Sequence, residues 1–339
     1  MDKALSLVIE IQSDSVRGAL VDFRGQAPEV ICSASSRIMH KDHAGSEYIT
    51  MSMLKSVENV AGKIMKEAGG SVRDAHFILS SPWVISKSKK VRIEYEEEAE
   101  ITSDMIEEVV KEEAGRILEE SSEDIVIVEQ KIFDVSLNGY PVHSYEGKRA
   151  LSLEVSLVLS MSSDEILKKM HSAVSRHIHF YNDCYHSALL LHYISLRSSS
   201  MDGDEFAVVH VHGELTDIVV VRNSFSSNLG SFPFGASTLV RKISSVMESS
   251  PETSSSMLSM HEEGRLEDEH GRRMEEALLS IVGGWHDDCA GMDIPRRVHL
   301  LSPNYPGIFK KILERSDCRV KIFDEPLEKI YIPALGSML

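Results

Sequence analysis

Two segments of the chain share one pattern, in which a nearly continuous apolar strand, a short polar turn and a second apolar strand follow one another. The first comprises Leu5 to Ile11 and Val16 to Phe23, and the second comprises Phe206 to Val211 and Asp217 to Val221. Strands that are apolar on both faces are typical of sheets buried between layers, and each turn has the length of a hairpin connection. The sequence therefore predicts a structural repeat, whose second copy begins about 200 residues after the first.

Helical and strand patterns extend both copies. In the first, apolar residues recur at helical spacing from Thr50 to Ala68, and a strand is predicted from Ala75 to Leu79. In the second, the predicted elements are a strand from Leu229 to Phe234, helices from Leu239 to Met247, Arg272 to Ile281 and Tyr305 to Glu314, and strands from Val298 to Leu301 and Arg319 to Phe323. The Ser-rich stretch 249–256 and the acidic stretch 262–269 predict a surface loop.

The middle of the chain has its own order of elements. Basic residues that end at Arg92 give way to acidic ones from Glu94, which predicts a solvated connection at the start of a new unit. After it come a helix from Ser103 to Glu120 and strands at Ile125–Val128, Lys131–Leu137 and Ala150–Met161, with Asn138-Gly139 as a hairpin turn. A capping box at Ser162–Glu165 then opens a helix, and a second helix is predicted near Cys184 to Leu196.

Composition narrows the class of protein. With 339 residues, of which 42% are hydrophobic and 26% charged, the chain can bury more than one core. Its net charge of −17 argues against nucleic acid and anionic membrane as partners. No apolar run approaches the ~20 residues of a membrane span, so no direct membrane insertion is expected. The four cysteines have no paired spacing, which favours a reducing, cytoplasmic location.

The repeated hairpins and the elements after them resemble the actin-like ATPase superfamily, and within it the branch of the division protein FtsA and the pilus protein PilM. The family's two phosphate loops align with Glu10 to Arg17 and with His210 to Asp217, which is followed by the Pro233–Ala236 turn, and its adenosine turn aligns with Leu301 to Gly307. FtsA and PilM carry a small inserted domain at the place of residues 86–161. The resemblance implies an α/β fold of duplicated actin-like (ribonuclease H-like) domains around a central cleft, with a small α+β insert.

The domain boundaries follow from this resemblance. Residues 1–85 are expected to form the first actin-like subdomain, 86–161 the inserted small α+β interaction domain, 162–203 connecting helices, and 204–339 the second actin-like domain. The final residues, Ile332 to Leu339, lack the amphipathic membrane helix that ends FtsA. This favours a partner that provides the link to the membrane.

The resemblance also implies a nucleotide site for ATP and Mg²⁺. The residues carried over to it are Glu10, Ser13, Ser15, Arg17, Gly213, Thr216, Asp217 and Gly235. In this fold, backbone N–H groups of glycine-rich turns reach the phosphates, and a Cβ atom blocks that approach. Here Gln12, His212 and Glu214 bring side chains to the turns, and one added carboxylate at ~4 Å from a phosphate costs about 4 kcal/mol in an effective dielectric of ~20. We therefore expect a vestigial site, with no catalytic residue and no bound cofactor.

A metal site is an alternative interpretation of the histidines. His210 and His212 alternate along a strand and so share one face, and His177, His179 and His186 are further candidates. Neither a cysteine nor a carboxylate completes a close motif, and 15 histidines make chance pairs common. The sequence therefore predicts no metal site.

The resemblance implies a cytoplasmic scaffold or adaptor that links membrane or envelope machinery, in pilus assembly or cell division, through protein contacts. The expected partner is the cytoplasmic tail of a membrane protein, which would hold the chain peripherally at the inner membrane, and self-association is a further expectation. On this interpretation the chain is a pseudo-ATPase rather than an enzyme. The alternative is a working actin-like ATPase that binds Mg-ATP and polymerises.

Overall fold

The computed structural model describes residues 5–25, 27–40, 45–68, 72–122, 124–199, 205–222, 225–266, 268–323, 327 and 331–338. In chain order, the elements are β1 (Ser6–Ile11), β2 (Ser15–Asp22), β3 (Glu29–Arg37), α1 (Ser46–Ala68), β4 (Asp74–Leu79), β5 (Ile85–Glu100), α2 (Ser103–Glu119), β6 (Ile125–Leu137), β7 (Tyr140–Pro141), β8 (Arg149–Ser163), α3 (Asp164–Ser175), β9 (Asn182–Ser187), α4 (Ala188–Ser199), β10 (Phe206–Val211), β11 (Thr216–Arg222), β12 (Phe225–Phe232), α5 (Ala236–Met247), α6 (Pro251–Glu262), α7 (Asp268–Gly291), β13 (Arg297–Leu301), α8 (Pro306–Glu314), β14 (Arg319–Phe323) and α9 (Ile332–Met338). Within these described residues, no helix combines the length and the apolar character needed to cross a membrane.

Two five-stranded sheets have the same topology. Their strand orders are β3-β2-β1-β4-β9 and β12-β11-β10-β13-β14. In each sheet the central strand, β1 or β10, pairs antiparallel with the strand that follows it and parallel with the fourth strand, β4 or β13. The predicted repeat is therefore confirmed, and it places the β1–β2 and β10–β11 turns at equivalent positions.

Apolar residues on both faces of the central strands explain how the two sheets pack. In β1, Leu7 and Ile9 face a core that is closed by α1 and α3, whereas Val8 faces a core shared with the second sheet. In that shared core, Val8 lies with Val208 of β10 and with residues of α4 and α9. The outer face of the second sheet is covered by α5, α7 and α8, where Trp285 is fully buried. Because successive strand residues point to opposite faces, one apolar run serves two cores.

The third sheet is antiparallel, with the order β5-β8-β6-β7, and α2 packs on one of its faces. The chain enters this sheet at Ile85 and leaves it at Ser163, and Ile85 is the cross-strand partner of Met161, two residues before that end. The beginning and end of the segment are therefore adjacent, as expected for a unit inserted between β4 and α3.

Two predictions about helices were wrong. Cys184 lies in strand β9 rather than in a helix, and α4 begins only at Ala188. β9 is the edge strand of the first sheet and is largely polar, so it lacks the apolar pattern of a strand. The Ser-rich stretch is not a loop, because it forms α6, in which the Ser250 side chain caps the helix at 3.2 Å from Thr253 N and Leu258 is buried. A cap, Pro251 in the first turn and tertiary burial outweigh the low helix propensity of Ser and Thr.

The solvated connection predicted from the change of charge between Arg92 and Glu94 was also wrong. Residues 85–100 form one continuous strand, β5, instead of a solvated connection, because β8 pairs with it along most of its length. The strands predicted at 125–128 and 131–137 are one strand, β6, interrupted by register shifts. The cap of α3 is Ser163, one residue after the start of the predicted capping box. The acidic stretch that ends at Glu269 runs into α7, which begins at Asp268.

Candidate functional site

The two repeated turns lie against each other at the centre of the molecule. Each turn is closed by an equivalent backbone hydrogen bond, from Gln12 N to Ser15 O at 2.9 Å and from His212 N to Leu215 O at 3.1 Å. The Ser13 hydroxyl links them, because its Oγ accepts from Glu214 N at 2.9 Å and lies 2.8 Å from His212 Nδ1. Ser13 and His212 are both almost completely buried. The two repeats are therefore hydrogen-bonded to each other through their turns.

Close packing accompanies these hydrogen bonds. A Cβ atom added to Gly213 would lie 2.1 Å from Asp14 Cβ, far inside van der Waals contact. Glycine is thus required at position 213 by the opposite turn. On the outer side of the contact, the His40 ring nitrogen Nε2 lies 2.8 Å from Ser13 O.

The hydrogen bonds continue from His212 to a buried carboxylate. His212 Nε2 lies 3.1 Å from Asp217 Oδ2, which also accepts from Ser81 N at 3.2 Å. Burial opposes ionisation of Asp217, but the nearby His212 and hydrogen bonds to the carboxylate outweigh it, and the pKa of Asp217 lies below its usual value. An ionised carboxylate only accepts hydrogen bonds, so His212 Nε2 donates to Asp217, and His212 Nδ1 is turned toward the Ser13 hydroxyl.

Gln12 lies between Glu10 of the first repeat and His210 of the second repeat. Its Nε2 donates to Glu10 Oε1 at 2.6 Å and lies 3.2 Å from His210 Nε2, and its backbone oxygen accepts from Trp83 Nε1 at 2.9 Å. Glu10, Gln12 and His210 are buried. Burial is the main reason that the pKa of His210 lies well below its usual value, with further contributions from His192 and His212.

Two residues that sequence reasoning missed extend this buried cluster. Tyr331 OH lies 2.7 Å from His192 Nε2, and the rings of His192 and His210 meet edge to face. Burial lowers the pKa of His192 to about 3, so the ring is neutral at pH 7. The pKa of the Tyr331 hydroxyl is raised well above its usual value by burial and by the carboxylates of Glu10 and Asp217. These residues come from α4 and from the segment before α9, and nothing in the sequence near either hairpin indicates them.

Three of the predicted nucleotide ligands have structural roles. Thr216 Oγ1 donates to Phe234 O at 2.6 Å and accepts from Trp285 Nε1 at 3.0 Å, inside the second core. Gly235 is the N-cap of α5 and lies against the second turn, where an added Cβ would be 2.2 Å from His212 O. Ser15 Oγ contacts Gln12 Oε1 at 3.4 Å. A fourth predicted ligand, Arg17, lies on β2 directly opposite Glu10.

The N-terminus of α5 is bonded within the protein. Ala236 N donates to His212 O at 2.9 Å, and Ser237 N donates to Gly213 O at 2.7 Å. Free amides at a helix N-terminus form an anion-binding site in many phosphate-binding proteins, but here the carbonyl groups of the turn accept from them. Glu214, at the tip of that turn, forms a two-pronged ion pair with Arg241 of α5 at 2.8 and 2.6 Å.

The strand-to-helix turn before α8 is also filled by side chains. Tyr305 has a left-handed backbone conformation with φ of 53° and is mostly buried. Its hydroxyl lies 2.6 Å from Ser255 Oγ on α6, and Gly307 N donates to Glu262 on the same helix. This turn therefore packs directly on α6.

The structure separates the histidines that were candidate metal ligands. His210, His212 and Asp217 have ligand atoms within 4.8 Å of one another. Asp217 is the cross-strand partner of His210, so the hairpin register would have indicated this carboxylate. His186 lies elsewhere, between His76 Nδ1 at 3.1 Å and Glu129 Oε1 at 3.4 Å.

Comparison with known proteins identifies the fold. No protein-family model matches the chain, and no curated protein matches it. A chain of the PilM–PilN type IV pilus biogenesis complex is similar over 99% of this chain and 98% of its own length, with 13% identity and a TM-score of 0.67. The ethanolamine utilization protein EutJ from Carboxydothermus hydrogenoformans is similar over 99% of this chain and 91% of its own, with 10% identity and a TM-score of 0.51.

The repeated sheets and these similarities define the class of protein: the chain has the actin-like ATPase fold. Its arrangement is PilM-like, since the similarity to the PilM complex extends over nearly the whole of both chains. The predicted fold is confirmed.

This fold implies ATP and Mg²⁺ between the two turns, and the residues present do not fit them. The Ser13 hydroxyl and the first amides of α5 are hydrogen-bonded to the second turn, and Asp14 fills the space beside Gly213. Phosphates placed here would also meet the buried carboxylates of Glu10 and Asp217.

Proposed function

We propose that this protein is an actin-like scaffold that links membrane or envelope machinery, in pilus assembly or cell division, through protein contacts, and that its nucleotide site is degenerate. The observation that carries the proposal is the direct contact of the two turns through Ser13, His212 and Glu214. Nucleotides act in the actin-like fold by lying between those turns. Because the turns bond to each other here, we infer that the architecture serves to bind other proteins.

The similarity to a PilM–PilN complex supports a protein partner. We infer that this chain is cytoplasmic and binds the cytoplasmic tail of a membrane protein, which would hold it at the inner membrane. Self-association of the chain is compatible with the same role.

The inserted unit, residues 86–161, is our candidate for the partner-binding module. Ile132 and Tyr140 are exposed apolar residues on it, and Tyr140 is 74% exposed. Among the described residues, β7 pairs only with Ser136 and Leu137 of β6, so most of the outer edge of β6 carries no further strand. Unpaired strand edges with apolar side chains accept extended peptides.

A deletion and a pair of point variants test the module. Ile85 and Met161 are paired and ~5 Å apart, so a two-glycine bridge can replace residues 86–160. The shortened chain should stay folded and lose the membrane protein that the full chain captures from solubilised membranes. Tyr140→Ser should weaken this capture, whereas Tyr181→Ser, which changes a tyrosine that is 72% exposed outside the insert, should not. Unchanged capture by the shortened chain would refute this role of the insert.

The second candidate function, a working ATPase that polymerises, is tested by nucleotide binding. A ligand at a hundred times its dissociation constant stabilises a protein by ~2.7 kcal/mol, which shifts the melting temperature by several degrees. We expect millimolar Mg-ATP to give no such shift. A clear shift with Mg-ATP that Mg²⁺ alone does not produce would favour the ATPase.

A further inference from the structure

The scaffold proposal leaves one buried cluster unexplained. On the β10–β11 hairpin, the ligand atoms of His210, His212 and Asp217 lie within 4.8 Å of one another, and all three residues are completely or almost completely buried. His210 and Asp217 are directly opposite each other across the two strands, and His212 is the first residue after β10. Two nitrogen donors and one oxygen donor therefore converge from a rigid hairpin.

Two polar atoms of this cluster lack hydrogen bonds. His210 Nδ1 and Asp217 Oδ1 are buried and have no hydrogen-bond partner among the described residues. Buried polar atoms are nearly always satisfied by protein, water or an ion, because leaving them unpaired costs stability. A bound cation would satisfy the carboxylate oxygen, and the lone pair of the His210 ring lies on Nε2, which faces the donor Gln12 Nε2.

The electrostatic environment selects for a cation. The cluster contains the Asp217 carboxylate, and the buried carboxylate of Glu10 lies next to Gln12, which contacts His210. The carboxylates that oppose phosphates thus favour a positive ion at the same place.

Hydrogen bonds already orient two of the ligands. Ser13 Oγ is within 2.8 Å of His212 Nδ1, and Ser81 N donates to Asp217 Oδ2. Hydrogen bonds of this kind hold the ring and the carboxylate of metal sites in position. If His212 binds an ion through Nε2, its Nδ1–H donates to Ser13, which accepts from Glu214 N as well. The ion would therefore reverse the donor of the Ser13–His212 hydrogen bond and keep the two turns linked.

We propose that His210, His212 and Asp217 bind a divalent transition metal ion, with zinc as the expected ion, independently of any nucleotide. Imidazole and carboxylate ligands suit zinc, whereas magnesium prefers oxygen ligands alone. Donor atoms around tetrahedral zinc lie ~3.4 Å apart for bonds of about 2 Å, so side-chain rotations can bring the present arrangement to that geometry. The site is independent of the partner-binding role.

Metal analysis of the full chain without a histidine tag tests the proposal. Because the ligands are buried, the protein is loaded with Zn²⁺ or Co²⁺ during refolding and then dialysed against metal-free buffer. We expect about one equivalent of zinc, the visible absorption of tetrahedral Co²⁺, and a higher melting temperature than for the EDTA-treated protein. Failure of the wild-type chain to retain either ion would overturn the proposal.

Matched variants locate the ion. Asp217→Asn keeps an oxygen for His212 and Ser81 but removes the charge, and His210→Gln removes a ring nitrogen; both should lose the equivalent of zinc. His299→Phe removes a buried histidine from β13 of the same sheet and should retain it. Equal zinc in all three variants would place the ion elsewhere and refute the site. If a variant does not fold, the Co²⁺ spectrum of the wild-type chain still decides whether nitrogen and oxygen ligands hold the ion.

Discussion

Gly213→Ala tests the direct contact between the β1–β2 turn and the β10–β11 turn. The new Cβ would lie 2.1 Å from Asp14 Cβ, whereas carbon atoms in contact are ~3.5–4.0 Å apart. Rotation of the Asp14 side chain cannot relieve this overlap, because Asp14 Cβ is fixed by the backbone. The two turns must therefore separate by about 1.5 Å.

The expected cost follows from the hydrogen bonds that such a separation breaks. The bonds from Glu214 N to Ser13 Oγ and between Ser13 Oγ and His212 Nδ1 are 2.9 and 2.8 Å long, and both would exceed bonding distance. Each buried group left without a partner costs about 1–3 kcal/mol. Water entering between the separated turns would satisfy some of these groups. We therefore expect the free energy of unfolding to fall by about 2–4 kcal/mol.

Urea unfolding and hydrogen exchange measure the effect. Exchange of the Glu214 amide should accelerate in Gly213→Ala, because its acceptor moves away. The control is Gly115→Ala in α2, where an added Cβ has no atom within 4 Å. That change should stabilise the helix by about 0.5–1 kcal/mol.

A double variant separates the contact from local strain. Asp14→Gly removes the atoms that the new Cβ meets, so the combination with Gly213→Ala should recover most of the lost stability. Two results would refute the direct contact of the two turns. One is a Gly213→Ala variant as stable as the wild-type chain, and the other is a loss of stability from Gly213→Ala that Asp14→Gly does not reduce.

Two further predictions follow from the same structure. Replacing Gln12, His212 and Glu214 by glycine and His210 by Asp should allow Mg-ATP to raise the melting temperature. Mg-ATP should not raise that of the unmodified chain. A variant whose melting temperature does not respond to Mg-ATP would show that more than these side chains closes the site. Burial lowers the pKa of His299 to about 4. Its contribution to the free energy of unfolding is fully present above the unfolded pKa of ~6.5. That contribution is lost as the pH falls toward 4, because the unfolded chain then binds a proton that the folded chain does not. The wild-type chain should therefore lose about 2 kcal/mol more unfolding free energy between pH 7 and pH 5 than His299→Phe does. Urea unfolding at both pH values measures this difference, and an identical loss in the two proteins would contradict the prediction.

The sequence by itself determined the repeated architecture. Apolar runs on both faces of β1 and β10, each followed by a polar turn, predict central strands that serve two cores, and the same order of elements appears in both sheets. The hairpin at Asn138-Gly139 and the helix from Ser103 indicated the inserted unit. These signals are local, because strand period, capping and turn chemistry depend on neighbouring residues.

Elements whose stability comes from distant partners escaped prediction. β9 is polar and exists because β4 pairs with it, β5 carries a run of charges but is held by β8, and α6 is rich in Ser and Thr but buries Leu258. Local propensity is a weak guide when tertiary pairing or burial supplies the stabilisation.

The tertiary structure alone decided the character of the site. The sequence indicated that Gln12, His212 and Glu214 depart from a nucleotide-binding turn, but not that Ser13 would bond to His212 and Glu214. These contacts join turns about 200 residues apart, and their distances depend on how two sheets pack on a shared core. Close approach of the two turns buried Asp217 and His212 together in an internal hydrogen-bonded cluster.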